Sequence, residues 1–211
     1  MKSITLLLLG LFVVGVASNL EVSAYTWDFG SIPKMAYAHH TFTIKNTGTQ
    51  PVRILKMRRF CGCLIYTLPD TIIYPNATTS LNVGYFSGTK STNEQNRIYM
   101  TTDDPVTEIL KFTITAQVGK DTSGFRIEPR RIKVADLEGG SLRVFNDTDS
   151  LARLKLVEAT SGIEIKAETT VIEAKKSVKI EYKSKYRVFN EKPSVVIDLN
   201  TYRMTIPIDV K

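Results

Sequence analysis

HTFTIKN, residues 40–46, puts Phe42 and Ile44 on one side of an extended chain and Thr41, Thr43 and Lys45 on the other, and it stops at the turn residues Asn46-Thr47-Gly48. Side chains alternate across a strand, so an apolar period of two marks a strand with one buried face. Working outward, TSLNVGYFSG (79–88) places Leu81, Val83 and Tyr85 in that period, and EILKFTITAQV (108–118) does the same with Leu110, Phe112 and Ile114. Turn residues separate such runs throughout, and helical periodicity longer than two turns is hard to find. The fold class is all-β, with half-buried antiparallel strands.

The second half repeats the grammar of the first. FTIKNTGTQPVRIL (42–55) aligns with LRVFNDTDSLARLK (142–155), pairing Phe42 with Leu142, Ile44 with Val144 and Asn46 with Asn146, and SLNVGY (80–85) aligns with SVKIEY (177–182). A repeat of this length means two copies of one domain, because solenoid repeats are far shorter. Each copy has strands enough for a two-sheet sandwich. The polar stretch GKDTSG (119–124) divides them, giving domains at 25–120 and 121–211 in tandem with limited freedom.

Ahead of these, Lys2 and the apolar run Leu6–Ala17 lead to Ser23 and Ala24, the pattern of a secretory signal peptide. Cleavage after Ala24 makes residues 1–24 the signal, and a second site follows Ser18. The run is too short to span a bilayer comfortably. The expected location is periplasmic or secreted, with no integral span after cleavage. Of the net charge of +7, residues 25–120 carry +4 (10 Lys/Arg against 6 Asp/Glu) and residues 121–211 carry +3 (17 against 14). An excess so evenly spread argues against nucleic acid and leaves room for peripheral contact with anionic surfaces.

RRFCGC (58–63) holds the only two cysteines of the chain. In an extended segment Cys61 and Cys63 face the same way, with Gly62 easing a turn between them. Three readings follow. The pair is a redox thiol or local disulfide, with Arg58 and Arg59 favouring the thiolate. It is a Cu(I) site, with Met57 or His39 and His40 as further ligands. Or it is packing or a bridge that stiffens a loop. The second copy has EATSGIEI (158–165) at this place, so a sandwich can be built without sulfur there.

Four spaced motifs, Trp27-Asp28-Phe29-Gly30-Ser31-Ile32, Thr41–Gly48, Cys61-Gly62-Cys63 and Thr102-Asp103-Asp104-Pro105, together resemble the exported bacterial family called domain of unknown function 1573. That family is frequent in Bacteroidetes and is similar to Hydin-type and major-sperm-protein-type immunoglobulin-like domains. The resemblance covers roughly residues 25–118 and implies an immunoglobulin-like β-sandwich, export, and no established activity. The second copy is similar by pattern only. The arginines and phenylalanine before the cysteines, and Leu64 after them, depart from the family's usual residues.

No catalytic constellation is legible, and no cofactor is called for. Asp103-Asp104-Pro105 reads as a turn. The adjacent His39 and His40 face opposite sides of a strand and so cannot chelate one ion together. Trp27 and Phe29 read as core. The expected function is therefore a non-enzymatic envelope protein that binds a protein or itself, with a thiol-redox or Cu(I)-handling role for Cys61 and Cys63 as the alternative.

Overall fold

The computed structural model describes residues 19–120, 124–134, 139–185 and 192–210. The apolar run Leu6–Ala17 lies outside the described residues. Among those described there is no helix, and two β-sandwiches follow one another.

In the first, β1 (Leu20–Val22), β3 (Tyr37–Asn46), β7 (Thr78–Phe86) and β5 (Leu64–Thr67) form one sheet in that order. It packs on β2 (Thr26–Ile32), β9 (Ile109–Val118), β8 (Thr92–Thr102), β4 (Val52–Arg59) and β6 (Ile72–Ile73). The residues whose alternation defined the strands meet between the sheets. Phe42, Ile44, Leu81 and Val83 from one side and Phe112 and Ile114 from the other are fully buried. Apolar burial of this kind supplies most of the favourable free energy of such a fold.

The second sandwich follows the same plan. Its first sheet runs β10 (Phe125–Glu128), β12 (Gly139–Asn146), β16 (Ser177–Ser184), β14 (Ile163–Ala167). Its second has β18 (Tyr202–Val210), β17 (Ser194–Leu199), β13 (Ala152–Ala159) and β15 (Val171–Ile172), with β11 (Ile132–Val134) parallel to β18. The repeat holds to single residues. Leu20 pairs with Asn46 as Phe125 pairs with Asn146. Both asparagines are fully buried. Asn46 donates to the carbonyls of Gln50 and Ile73, and Asn146 to those of Ser150 and Ile172. Each amide thus replaces the water those carbonyls lose on burial.

The two sandwiches are not beads on a string. β18 of the second runs parallel to β2 of the first, Met204 opposite Ser31, so their sheets join into one of ten strands. β2 bulges between Asp28 and Ser31, and Gly30 there takes φ +61°. A Cβ on Gly30 would lie 2.1 Å from the carbonyl oxygen of Arg203, so the strand of the second sandwich occupies the space a side chain would fill. Gly30 is thus a point of close approach between the two sandwiches.

β1 precedes Tyr25, the first residue of the mature chain if cleavage follows Ala24. Leu20 is buried in the first core, Asn19 donates to Asp104 Oδ1 at 2.8 Å, and Thr47 N–H donates to the Asn19 carbonyl at 2.8 Å. Cleavage after Ser18 keeps this strand, whereas cleavage after Ala24 removes it. Residues 25–211 should therefore unfold at lower denaturant than residues 19–211, by about 3 kcal/mol, from the loss of one buried leucine and a buried hydrogen bond. Equal stability of the two chains, measured by urea titration, would show β1 to be dispensable. Gly30→Ala should cost about 3 kcal/mol or more, adding left-handed strain to a backbone clash, and should split a single thermal transition into two.

Candidate functional site

Cys61 and Cys63 lie in the turn from β4 to β5 and are bonded to one another, with Cα atoms 5.1 Å apart. The described residues contain no free cysteine. Cys63 N–H also donates to Cys61 Sγ at 3.0 Å, and the Cys63 side chain leans on the first core. Gly62 has no positive φ, and a Cβ there would meet nothing within 4 Å, so the turn does not demand glycine. Arg59 donates through Nη1 to the Leu64 carbonyl across the mouth of this turn. Arg58 lies over the Phe60 ring, 4.7 Å from its centroid, and Phe60 meets Tyr99 edge-on at 5.4 Å. With both sulfurs bonded neither arginine has a thiolate to tune, and each guanidinium has another partner. No group of three or more His, Cys, Asp or Glu among the described residues is placed to hold a metal.

His39 and His40 leave β3 on opposite sides, and both are buried. His40 stacks flat on Trp27, with centroids 3.7 Å apart and planes at 6°, and its Nδ1 lies 2.8 Å from Oε2 of Glu158 on β13. His39 N–H donates to the Ser194 hydroxyl at 3.1 Å. The Arg203 guanidinium sits over Trp27 at 5.2 Å, grips Asp198 with two nitrogens at 2.8 and 3.0 Å, and reaches the Asp28 carbonyl at 3.3 Å. Hydrogen bonding to Asp198 holds its pKa above the ordinary arginine value, against the opposing pull of burial. Thr205 Oγ1 donates to the Phe29 carbonyl at 2.6 Å, and Arg130 donates to the carbonyls of Thr205 and Ser31. Trp27 is thus a junction residue, half-buried between domains, while Phe29 is wholly in the first core.

The Asp103-Asp104-Pro105 segment is the β8–β9 turn. Asp103 Oδ1 accepts from Arg53 N–H at 2.7 Å, and Asp104, buried, accepts from Asn19 and from Thr107 N–H. Both carboxylates are thereby occupied in holding backbone. Burial, then the nearby charge of Glu94, pushes the Tyr85 phenol above its ordinary range, so it stays neutral in the core. A groove of about 280 Å³ opens where Gly84 leaves space beside His39, Ile65, Tyr66, Asn82 and Lys192.

Sequence reasoning did not single out Arg203, Glu158, Ser194, Thr205 or Arg130. Their partners in the first sandwich lie 99 to 176 residues away, so spacing carries no trace of them. The one available signal was the pair of adjacent histidines in β3, both of which are buried at the junction.

Residues 20–118 match the family described as Protein of unknown function (DUF1573), the segment that forms the first sandwich. None of the curated proteins compared with the chain matches it. Among solved structures the chain is similar to a protein of unknown function from Porphyromonas gingivalis W83, at 10% identity over 91% of this chain and 100% of that one, with a TM-score of 0.38. It is also similar to the ASH/PapD-like domain 7 of human CEP192 (8% identity, 58% and 99% of the chains, TM-score 0.43). A third is the E. coli chaperone DraB (12% identity, 91% and 96%, TM-score 0.35).

Two substitutions separate the readings of the CGC turn. Gly62→Ala should leave stability within about 0.5 kcal/mol, since nothing crowds it. Cys61→Ser with Cys63→Ser should cost below about 2 kcal/mol, because so short a loop constrains the unfolded chain little. A collapse of the fold in either variant, read by thermal unfolding, would make the turn a structural keystone instead.

Proposed function

We propose that the chain is an exported, non-enzymatic protein of the bacterial cell envelope whose work is to bind another protein from a rigid two-sandwich scaffold. The observation that carries this reading is the junction. His40, Trp27, Gly30 and Ser31 engage Glu158, Arg203, Thr205 and Arg130 so fully that the two sandwiches act as one body, with a continuous sheet as its spine. A body of that kind presents surfaces at fixed separation, which favours recognition because little freedom is lost on binding. The polar side chains singled out by the sequence serve architecture, as the turn carboxylates Asp103 and Asp104 and the junction histidines illustrate. Export rests on the N-terminal pattern of the sequence, and a periplasmic or extracellular setting also suits the Cys61–Cys63 bridge.

The test is amine-reactive cross-linking in the native cells, followed by fractionation and recovery of this chain. Reproducible protein adducts in the periplasmic or secreted fraction are expected, and the Cys61→Ser, Cys63→Ser variant should keep them. Absence of adducts, together with thiol–disulfide exchange activity abolished by that variant, would favour the redox alternative and contradict the binding reading.

A further inference from the structure

The repeat lets one copy report on the other. In the second sandwich Glu158, Val196 and Thr205 stand side by side across β13, β17 and β18. All three face the first sandwich. Glu158 pairs with His40, Val196 enters the first core, and Thr205 bonds the Phe29 carbonyl. Arg203, one row along and opposite Asp198, covers Trp27. This outer face of the sheet is the docking face of the copy.

The register identifies the same positions in the first sandwich. Ile54 opposite Thr102 corresponds to Leu154 opposite Leu199, and counting along both ladders places Arg58, Tyr99 and Lys111 where Glu158, Val196 and Thr205 stand. Thr101 and Ile109 fall where Asp198 and Arg203 stand, and Arg97 where Ser194 stands. Among the described residues nothing covers this face. Ile109 is 58% exposed, Leu55, pushed outward by the β4 bulge, is 62% exposed, and Phe60 is also 62% exposed. Phe60 is the residue by which the CGC turn exceeds its counterpart, in which Ile163 N–H bonds the Thr160 carbonyl as Leu64 N–H bonds that of Cys61. Among the described residues the edge of β9 before Thr113 is open as well. β2 pairs it only from Thr113 onward, whereas β18 has β2 beside Met204, the counterpart of Leu110.

The charge at the position of Glu158 is opposite on this face. Arg58 replaces Glu158, and Lys56, Arg97 and Lys111 join it, all exposed and none in an ion pair among the described residues. A surface that mates with Glu158 offers His40, so one that mates with Arg58 must offer a carboxylate. Arginine, tyrosine and phenylalanine in contact, with unpaired cations around them, are the composition of a protein-binding hot spot. We infer that the outer face of β4, β8 and β9, centred on Tyr99, docks an acidic partner protein that lays a carboxylate-bearing strand beside β9, repeating between molecules the contact the second sandwich makes within this one. The inference rests on the protein-binding reading above and names the partner's chemistry.

The test uses residues 19–211 and fluorescent poly-L-glutamate as the probe, followed by anisotropy at low salt. Saturable binding is expected. Arg58→Glu with Lys111→Glu should weaken it by about tenfold or more, while Lys166→Glu with Lys183→Glu, the same charge change on the second sandwich, should alter it less than about twofold. Phe60→Ala, which changes no charge, should weaken it by about threefold, and it carries the test should the double reversal unfold. Equal losses in the two double variants, no binding, or tighter binding to alginate or to phosphatidylglycerol vesicles would overturn the inference. So would concentration-dependent self-association that Arg58→Glu with Lys111→Glu removes, since a second copy would then own the face. Cellular cross-links that survive that variant sink this inference and leave the binding reading standing, whereas a lack of any cross-link removes the reading itself.

Discussion

The approach of Arg203 to Gly30 constrains the rest of the molecule. A carbonyl oxygen 2.1 Å from where a Cβ would be leaves no residue but glycine there, and φ +61° asks for glycine independently. Because β18 comes this close, Thr205 reaches the Phe29 carbonyl, Arg203 reaches Trp27 and Asp28, and Glu158 arrives at His40. Removing that one contact would take Glu158 from His40 and Arg203 from Trp27, leaving the His40–Trp27 stack uncovered. The desolvation of polar groups at the junction is offset by the bonds made when the strands meet, although Trp27 Nε1 and His40 Nε2 are buried with no hydrogen-bond partner among the described residues.

Two copies of one fold have thus been put to different uses. In the second, the outer face of the main sheet is spent on holding the first. In the first, the same face is uncovered among the described residues, carries Arg58 where the second carries Glu158, and has gained an exposed phenylalanine beside a disulfide-bonded turn. The disulfide lies where the second copy has Thr160, whose hydroxyl and backbone bond Ser194 at the junction. Where the second copy fixes this turn by hydrogen bonds between Thr160 and Ser194, the first fixes it by a covalent bond. On this account the cysteines support the presentation of Phe60 and Arg58, and the chemistry of the surface lies in its cations and aromatics.

Much of the fold was legible because burial imposes a period. Phe42 and Ile44 could alternate with Thr41 and Thr43 only on a half-buried strand, and Asn46 and Asn146 marked equivalent corners that both prove buried and fully bonded. What was not legible was set by contacts between distant residues. The pairing of His40 with Glu158 spans 118 positions, and nothing local to either residue announces it. β1 was hidden because Leu20 and Val22, beside the apolar run of the N-terminus, look like the tail of a signal, although they pair with β3. The RRFCGC stretch drew the eye to sulfur, whereas its arginines and phenylalanine gain their meaning from Tyr99 and Lys111, brought alongside by strand pairing.

The two sandwiches must move as one for the occupied face of the second to indicate the use of the exposed face of the first. Backbone ¹⁵N relaxation of residues 19–211 measures this directly. A single rotational diffusion tensor fitting the amides of both sandwiches is the result predicted by the fused sheet and its Gly30 contact. Two tensors, with each sandwich tumbling faster than the whole chain allows, would contradict it.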